Sequence, residues 1–285
     1  MPNLAGVIPA IATPLFANED VDTASLKKLI DFVINNGASG IFVLGSMGEG
    51  PALIDSQKIK AVETAVKHTN GRVPVLAGIS EVSTRRTIEL GKTLEKLDPD
   101  YLVLTSPYYY SFPHPDSMLK YVGEIAGALK KPLVFYNCPG MTKNKVSLET
   151  LEKIMAIPQV KAIKDSSCDF EMVSALLEKY PDKSKRPCSI LQGDESVYDK
   201  SLLMGADGLI TGGGTVYVEI LARLYNATAQ QDKNNAAIFQ NEFITKRNNM
   251  LGDELAIDWM YRIKRELKNL GICDSNVTSP FLKRD

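Results

Sequence analysis

The chain has 285 residues, with 33 Lys plus Arg against 34 Asp plus Glu, a net charge of -1, 44% hydrophobic and 24% charged residues. This balance excludes a disordered or collagen-like chain and leaves no electrostatic footprint for nucleic acid or an anionic membrane. Only His68 and His114 are present, and the four cysteines (Cys138, Cys168, Cys188, Cys273) form no C-x-x-C pair. A multi-imidazole metal site is therefore excluded, a zinc cluster or redox dithiol has no cysteine spacing to support it, and free thiols in a reducing compartment are expected. Neither histidine sits in a nucleophile motif, so Ser-His-Asp or Cys-His catalysis has no foothold.

The start, Met1-Pro2-Asn3-Leu4, has no basic region, and the uncharged stretch 4–18 is interrupted by Pro9 and Pro14. It reads as neither a secretory signal nor a membrane span, and a cytoplasmic protein is expected. A strand is predicted at 6–12 and an amphipathic helix at 26–35. The alternation continues with strand 40–44 and helix 57–68, strand 74–78 and helix 84–97, strand 101–104 and helix 117–129. Strand 133–137 precedes helix 148–155, strand 160–165 precedes helix 172–179, and strand 189–193 precedes helix 196–204. The last strand, 208–211, is followed by a helix near 218–230. Caps are expected at Asp55-Ser56 and Ser147, and Gly37 ends the first helix. Strict alternation implies right-handed crossovers and a parallel sheet, and eight units close a barrel. An open dinucleotide-binding sheet lacks its fingerprint, because the first strand runs into Ala12-Thr13-Pro14 rather than G-x-G-x-x-G. The expected fold is thus α/β, a (β/α)8 TIM barrel over 1–230. Residues 231–285 form a C-terminal helical extension, with helices at 234–249 and 254–270. An apolar stripe of Leu255, Met260, Ile263, Leu267 and Leu270 should dock the second of these.

In such a barrel the chemistry belongs at the C-terminal ends of the strands. Strand six reads Val160-Lys161-Ala162-Ile163-Lys164-Asp165, and alternation puts Val160, Ala162 and Lys164 on one face. A lysine forced into the interior loses hydration of its charge, becomes neutral more easily and can attack a ketone to form a Schiff base. The plainer reading caps the strand with Lys164 and pairs it with Asp165 in solvent. Strand five ends Val134-Phe135-Tyr136-Asn137-Cys138-Pro139, placing the Tyr136 phenol at the mouth as a proton carrier or as a packed aromatic. After strand two, Gly45-Ser46-Met47-Gly48-Glu49-Gly50-Pro51 offers outward backbone N–H groups and the Ser46 hydroxyl for a carboxylate or phosphate.

Together the motifs Gly-Ser-x-Gly-Glu, Tyr-Asn-x-Pro and Ile-Lys-Asp, in this order, resemble the dihydrodipicolinate synthase/N-acetylneuraminate lyase family. The likeness runs from Gly6-Val7-Ile8-Pro9-Ala10 to Gly205-Ala206-Asp207-Gly208. The resemblance implies a class I aldolase working through a pyruvate imine on Lys164, with Tyr136 as catalytic tyrosine. Ser46 falls on the hydroxyl that binds the pyruvate carboxylate, with Met47 and Gly48 in the same turn. The resemblance also puts Tyr109 on a tyrosine contributed across a subunit interface, in a dimer or tetramer. It requires neither metal nor organic cofactor. The partners expected are pyruvate and a small aldehyde or keto-deoxy acid.

Two departures bear on the substrate. Dihydrodipicolinate synthases carry Tyr-Asn-x-Pro-x-Arg, whose arginine grips the carboxylate of aspartate semialdehyde; here Met141 stands at that position. An apolar thioether does not replace a bidentate guanidinium, and Lys143 or Lys145 would be flexible point charges. Met47 stands where the family usually has threonine, removing a hydroxyl but keeping the backbone donors. Gly193, Asp194 and Glu195 suit sugar hydroxyls, against a helix cap by Asp194 as the alternative. Thr211 and Gly212, opening Thr211-Gly212-Gly213-Gly214, leave room for substrate or admit a phosphate. His68 is expected near a helix C-terminus in solvent, His114 in the tyrosine-rich loop with substrate contact only as the alternative reading, and Trp259 packed on the last helix. The reading is a Schiff-base aldolase for a 2-keto-3-deoxy sugar acid or similar 2-oxo acid. Its rivals are dihydrodipicolinate synthase itself, a dehydratase using the same imine, and a non-catalytic barrel that binds a keto acid.

Overall fold

Every strand of the computed structural model, which describes residues 4–252 and 258–283, is followed by a helix. The order is β1 (Gly6–Pro9), α1 (Thr23–Asn35), β2 (Ile41–Val43), α2 (Asp55–Thr69), β3 (Val75–Gly78), α3 (Thr84–Glu95), β4 (Tyr101–Thr105) and α4 (Pro115–Ala128). Then come β5 (Leu133–Asn137), α5 (Pro139–Thr142), α6 (Leu148–Met155), β6 (Val160–Asp165), α7 (Phe170–Lys179), β7 (Ser189–Gln192), α8 (Tyr198–Leu203), β8 (Gly208–Thr211) and α9 (Gly214–Ala229). Two further helices, α10 (Lys233–Leu251) and α11 (Trp259–Asn269), pack on α9 and on one another.

The strands pair in parallel in the order β1-β8-β7-β6-β5-β4-β3-β2. The seam between β1 and β2 is closed by a bridge between Ala10 and Phe42, where the Ile11 N–H donates to the Phe42 carbonyl at 2.9 Å. The expected (β/α)8 barrel is what forms. Its strands are almost wholly buried, apolar on both faces, as a sheet enclosed by helices requires.

Several boundaries differ from expectation for local reasons. β1 stops at Pro9 rather than 12, because residues 10 and 11 divide their N–H groups between Thr211 and Phe42 at the seam. Ile54, not Asp55, holds the N-cap position of α2 and makes no side-chain cap, whereas Ser147 accepts the Thr150 N–H at 3.2 Å as expected. α9 begins at Gly214, four residues early, since the Thr211 hydroxyl accepts the Gly214 N–H and turns a glycine run into a helix start. α5 was not expected; Pro139 at its first position presets the turn. In α11, Met260, Ile263 and Leu267 are buried, but Leu270 follows the helix and is half exposed. Leu255 and the start at 254 lie outside the described residues.

Candidate active site

Parallel pairing sets the site. The β4–β5 register places Thr105 opposite Tyr136, and the β5–β6 register places Tyr136 opposite Lys164. An irregularity between Leu133 and Val134 shifts that second register by one residue, so the pairing rests on the bulge. Lys164 and Tyr136 are both buried, and the Lys164 ammonium nitrogen lies 4.0 Å from the Tyr136 ring centroid and 5.7 Å from that of Phe42. The solvent reading of Lys164 is thereby corrected. Asp165 is engaged elsewhere: its carboxylate accepts from Asn137 Nδ2 at 2.6 Å and from the Ser167 hydroxyl at 2.6 Å.

Burial brings the Lys164 pKa down to about 8, against smaller upward pulls from Cys138 and Glu195. At pH 7 about one amine in ten is then neutral, some two orders of magnitude more than for a solvated lysine. Burial also pushes the Tyr136 phenol well above its usual value, so at neutral pH it is a proton donor. The hydroxyls of Ser46 and Ser166 and the thiol of Cys138 lie within hydrogen-bonding reach of that phenol. The Cys138 thiol is pushed up to about 12 by burial and stays protonated. Ser166 was missed from sequence, although strand alternation places it on the Lys164 face. Gly193 lets these groups meet: a Cβ there would lie 2.9 Å from Lys164 Cε and 2.1 Å from Ser166 Oγ.

The turn after β2 carries Ser46, Met47 and Gly48, and Ser46 faces the cavity that Tyr136 lines. Among the described residues no backbone carbonyl accepts from their N–H groups, while the Gly48 carbonyl accepts the Thr13 hydroxyl at 2.7 Å. Ser46 and Tyr136 open onto a cavity of about 220 Å³ whose walls include Tyr108, Met141, Trp259 and Phe281. Trp259 therefore lines the cavity as well as packing on the core.

Across the mouth, Glu195 is fixed rather than free. Its Oε1 accepts the Thr211 hydroxyl and the Gly213 N–H, each at 2.8 Å, and Arg247 of α10 approaches Oε2 at 3.4 Å. Arg247 was not singled out from sequence, since only the fold brings α10 to the mouth. A Cβ on Gly212 would stand 3.9 Å from Glu195 Oε1, so Gly212 lies beside this carboxylate. Asp194 takes the capping role, accepting the Ser196 N–H at 3.0 Å and its hydroxyl at 2.7 Å. The Gly193 N–H is spent on the Asp165 carbonyl at 2.6 Å.

Other candidates fall outside the site. Tyr109 is 76% exposed and is not among the residues that line the cavity beside Ser46 and Tyr136 in its own chain. His114 caps α4, its Nδ1 accepting the Asp116 N–H at 3.3 Å. His68 is partly buried and meets Asp31 at 2.9 Å instead of standing free in solvent. Among the described residues no group of three or more His, Cys, Asp or Glu side chains could hold a metal ion, and no helix is long and apolar enough to cross a membrane.

A buried lysine with a depressed pKa beside a protonated phenol, inside a closed β/α barrel, has the architecture of an imine-forming lyase. The chain belongs to the dihydrodipicolinate synthetase family, whose sequence model matches residues 3–285. It is 35% identical over 209 residues, 73% of this chain and 69% of the relative, to a 4-hydroxy-tetrahydrodipicolinate synthase of Oceanobacillus iheyensis. It is 29% identical over 276 residues, 97% and 92% of the two chains, to the enzyme of that name from Pelobacter propionicus. A crystal structure of dihydrodipicolinate synthase from Acinetobacter baumannii, complexed with pyruvate, superposes with a TM-score of 0.91 at 28% identity, covering 99% of this chain and 94% of that one. Family members are class I pyruvate-dependent lyases and aldolases, and this protein is an enzyme of that class.

Proposed function

We propose that the protein is a pyruvate aldolase that cleaves or forms a 2-keto-3-deoxy sugar acid or a similar 2-oxo acid. The approach of Lys164 to Tyr136 carries this reading. Neutral Lys164 adds to the ketone carbon of pyruvate. Tyr136 protonates the carbinolamine oxygen, which leaves as water, and the resulting iminium is an electron sink. The Tyr136 phenolate left by that step takes a methyl proton, giving an enamine that adds to the aldehyde carbon. The Tyr136 phenol, with Ser46 in relay, then returns the proton to the aldehyde oxygen. Hydrolysis then frees the lysine, and cleavage runs the same steps backwards. The free N–H groups of Ser46, Met47 and Gly48 suit the pyruvate carboxylate. Glu195, held by Thr211 and Gly213, is a pre-oriented acceptor for a substrate hydroxyl. Tyr109 would complete the proton relay from a second subunit, in a dimer or tetramer. Residues 1–230 then form the catalytic barrel and 231–285 its extension, in a cytoplasmic enzyme without cofactor.

Met141, half exposed on the cavity wall, separates this reading from dihydrodipicolinate synthase, the activity named for the relatives. Pyruvate release from a panel of keto-deoxy acids, set against condensation with aspartate semialdehyde, tests the choice. The expected kcat/KM favours polyhydroxy substrates by at least about tenfold. A clear preference for the semialdehyde would restore the synthase reading and assign its carboxylate to another cation, such as Arg247 beside Glu195.

The depressed lysine pKa has a kinetic signature. Only the free amine reacts, so the rate of imine formation with pyruvate should climb about tenfold per pH unit below 8 and level off above it. An amine with an ordinary pKa would keep accelerating past pH 10. Stopped-flow or borohydride-trapping rates between pH 6 and 10 distinguish the two.

A further inference from the structure

The turn that carries Ser46 and Met47 is anchored by the far end of the chain. Leu44 (φ 61°) and Glu49 (φ 54°), one at each end of the turn, are non-glycine residues in the left-handed region. Such backbone persists only where its surroundings over-determine it. The two ends touch: a Cβ on Gly50 would lie 2.0 Å from the Leu44 carbonyl oxygen. The Glu49 side chain, completely buried, runs from this turn to the C-terminal segment. Its Oε2 accepts the Thr278 N–H at 2.6 Å and the Thr278 hydroxyl at 2.8 Å. Its Oε1 pairs with the Lys264 ammonium of α11, which is equally buried and donates to the Asn276 carbonyl at 2.6 Å. Asn276 in turn donates to the Leu15 carbonyl at 3.0 Å, fixing the tail to the loop after β1. Glu49, Trp259, Met260 and Phe281 all face the cavity that Ser46 and Tyr136 share.

A buried ion pair is a poor way to gain stability, because apolar residues of similar volume usually serve as well or better. What this pair supplies is direction: it fixes a carboxylate, and through it a strained turn, relative to the C-terminal helix. We propose that Glu49, Lys264 and Thr278 are positioning residues that set the Ser46, Met47 and Gly48 N–H groups for the pyruvate carboxylate. The C-terminal segment thereby controls affinity for pyruvate more than turnover. This rests on the proposed role of those N–H groups.

The test compares wild type, Lys264→Met, the double variant Glu49→Gln/Lys264→Met, Thr278→Val and Thr278→Ser. Each is examined for half-saturation of borohydride-trapped imine by pyruvate, for kcat at saturation, and for thermal melting. Lys264→Met leaves the Glu49 charge unpaired and should raise the half-saturating pyruvate concentration about tenfold or more, with kcat within about threefold of wild type. The double variant removes both charges, keeps an acceptor for Thr278 and should return to within about threefold. Thr278→Val should shift half-saturation several-fold, and Thr278→Ser should restore it. If Lys264→Met does not fold, the double variant and the Thr278 pair decide by the same criteria. Unchanged half-saturation in folded Lys264→Met and Thr278→Val that merely melt earlier overturns the inference. Failure of the wild type to trap pyruvate overturns instead the reading on which it rests.

Discussion

Borohydride added with pyruvate should inactivate the enzyme irreversibly and leave a three-carbon adduct on Lys164 and on no other lysine. Neither reagent alone should inactivate it. The reason is the contrast between this amine and the rest: Lys164 is buried with a pKa near 8, whereas a solvated lysine is almost entirely protonated at pH 7. Lys264 is also lowered by burial, but its nitrogen is engaged by Glu49 and by the Asn276 carbonyl, away from Tyr136. Lys164→Ala should therefore lose activity by on the order of 10³-fold or more, since among the described residues Lys164 is the amine that lies over the Tyr136 ring. The variant should stay folded. Removing the lysine deletes a desolvated ammonium that the barrel holds at a cost, and that gain offsets part of the lost packing. Peptide mass spectrometry and a melting curve supply the two readouts. An adduct on another residue, or full activity without Lys164, ends the imine mechanism.

The barrel was legible because the alternation of buried β-runs and amphipathic helices is periodic and repeated eight times. β5, β6 and α6 begin and end where the sequence placed them, since apolar runs bounded by Pro132, Asn137 or Ser147 leave little room for doubt. Lys164 and Tyr136 were legible for a related reason. Both end strands, and alternation fixes the face each presents. Their mutual register was not legible, because it depends on a bulge at Leu133 that no local pattern announces. Nor were the supports around them. Arg247 reaches Glu195 from 52 positions away, and Thr278 reaches Glu49 from 229. Such pairs are made by tertiary packing and leave no periodic trace. Ser166 is the one miss that sequence reasoning could have caught, two residues beyond Lys164 on the same face. The glycine run at 212–214 likewise gave no local sign that Glu195 and Thr211 bond it or that α9 starts at Gly214.

Mixing Lys164→Ala subunits with Tyr109→Phe subunits, each nearly inactive alone, should regenerate about a quarter of the wild-type activity. The reasoning begins with the loop after β4. Buried Asn144 donates to the carbonyls of Pro107 and Tyr110 at 2.8 and 2.9 Å and accepts the Phe112 N–H at 2.6 Å, so the loop is rigid. Held this way, Tyr109 adopts φ 82°, an unfavourable value for a residue with a Cβ, and projects outward at 76% exposure. Tyr110 meets it edge to face at 4.9 Å and is itself 62% exposed. A strained, pre-ordered aromatic pair in water is costly, and such clusters are enriched where a second chain covers them. In its own chain Tyr109 is not among the residues lining the cavity beside Ser46 and Tyr136, whereas its neighbour Tyr108 is. A two-fold contact would exchange the loops, giving each site the other subunit's phenol. Random pairing makes half of the dimers hybrids, and a hybrid has one site with both Lys164 and an incoming Tyr109. Half of the sites in half of the dimers is about one quarter. If mixed oligomers form, as native mass spectrometry can establish, and activity does not return, Tyr109 does not act across the interface.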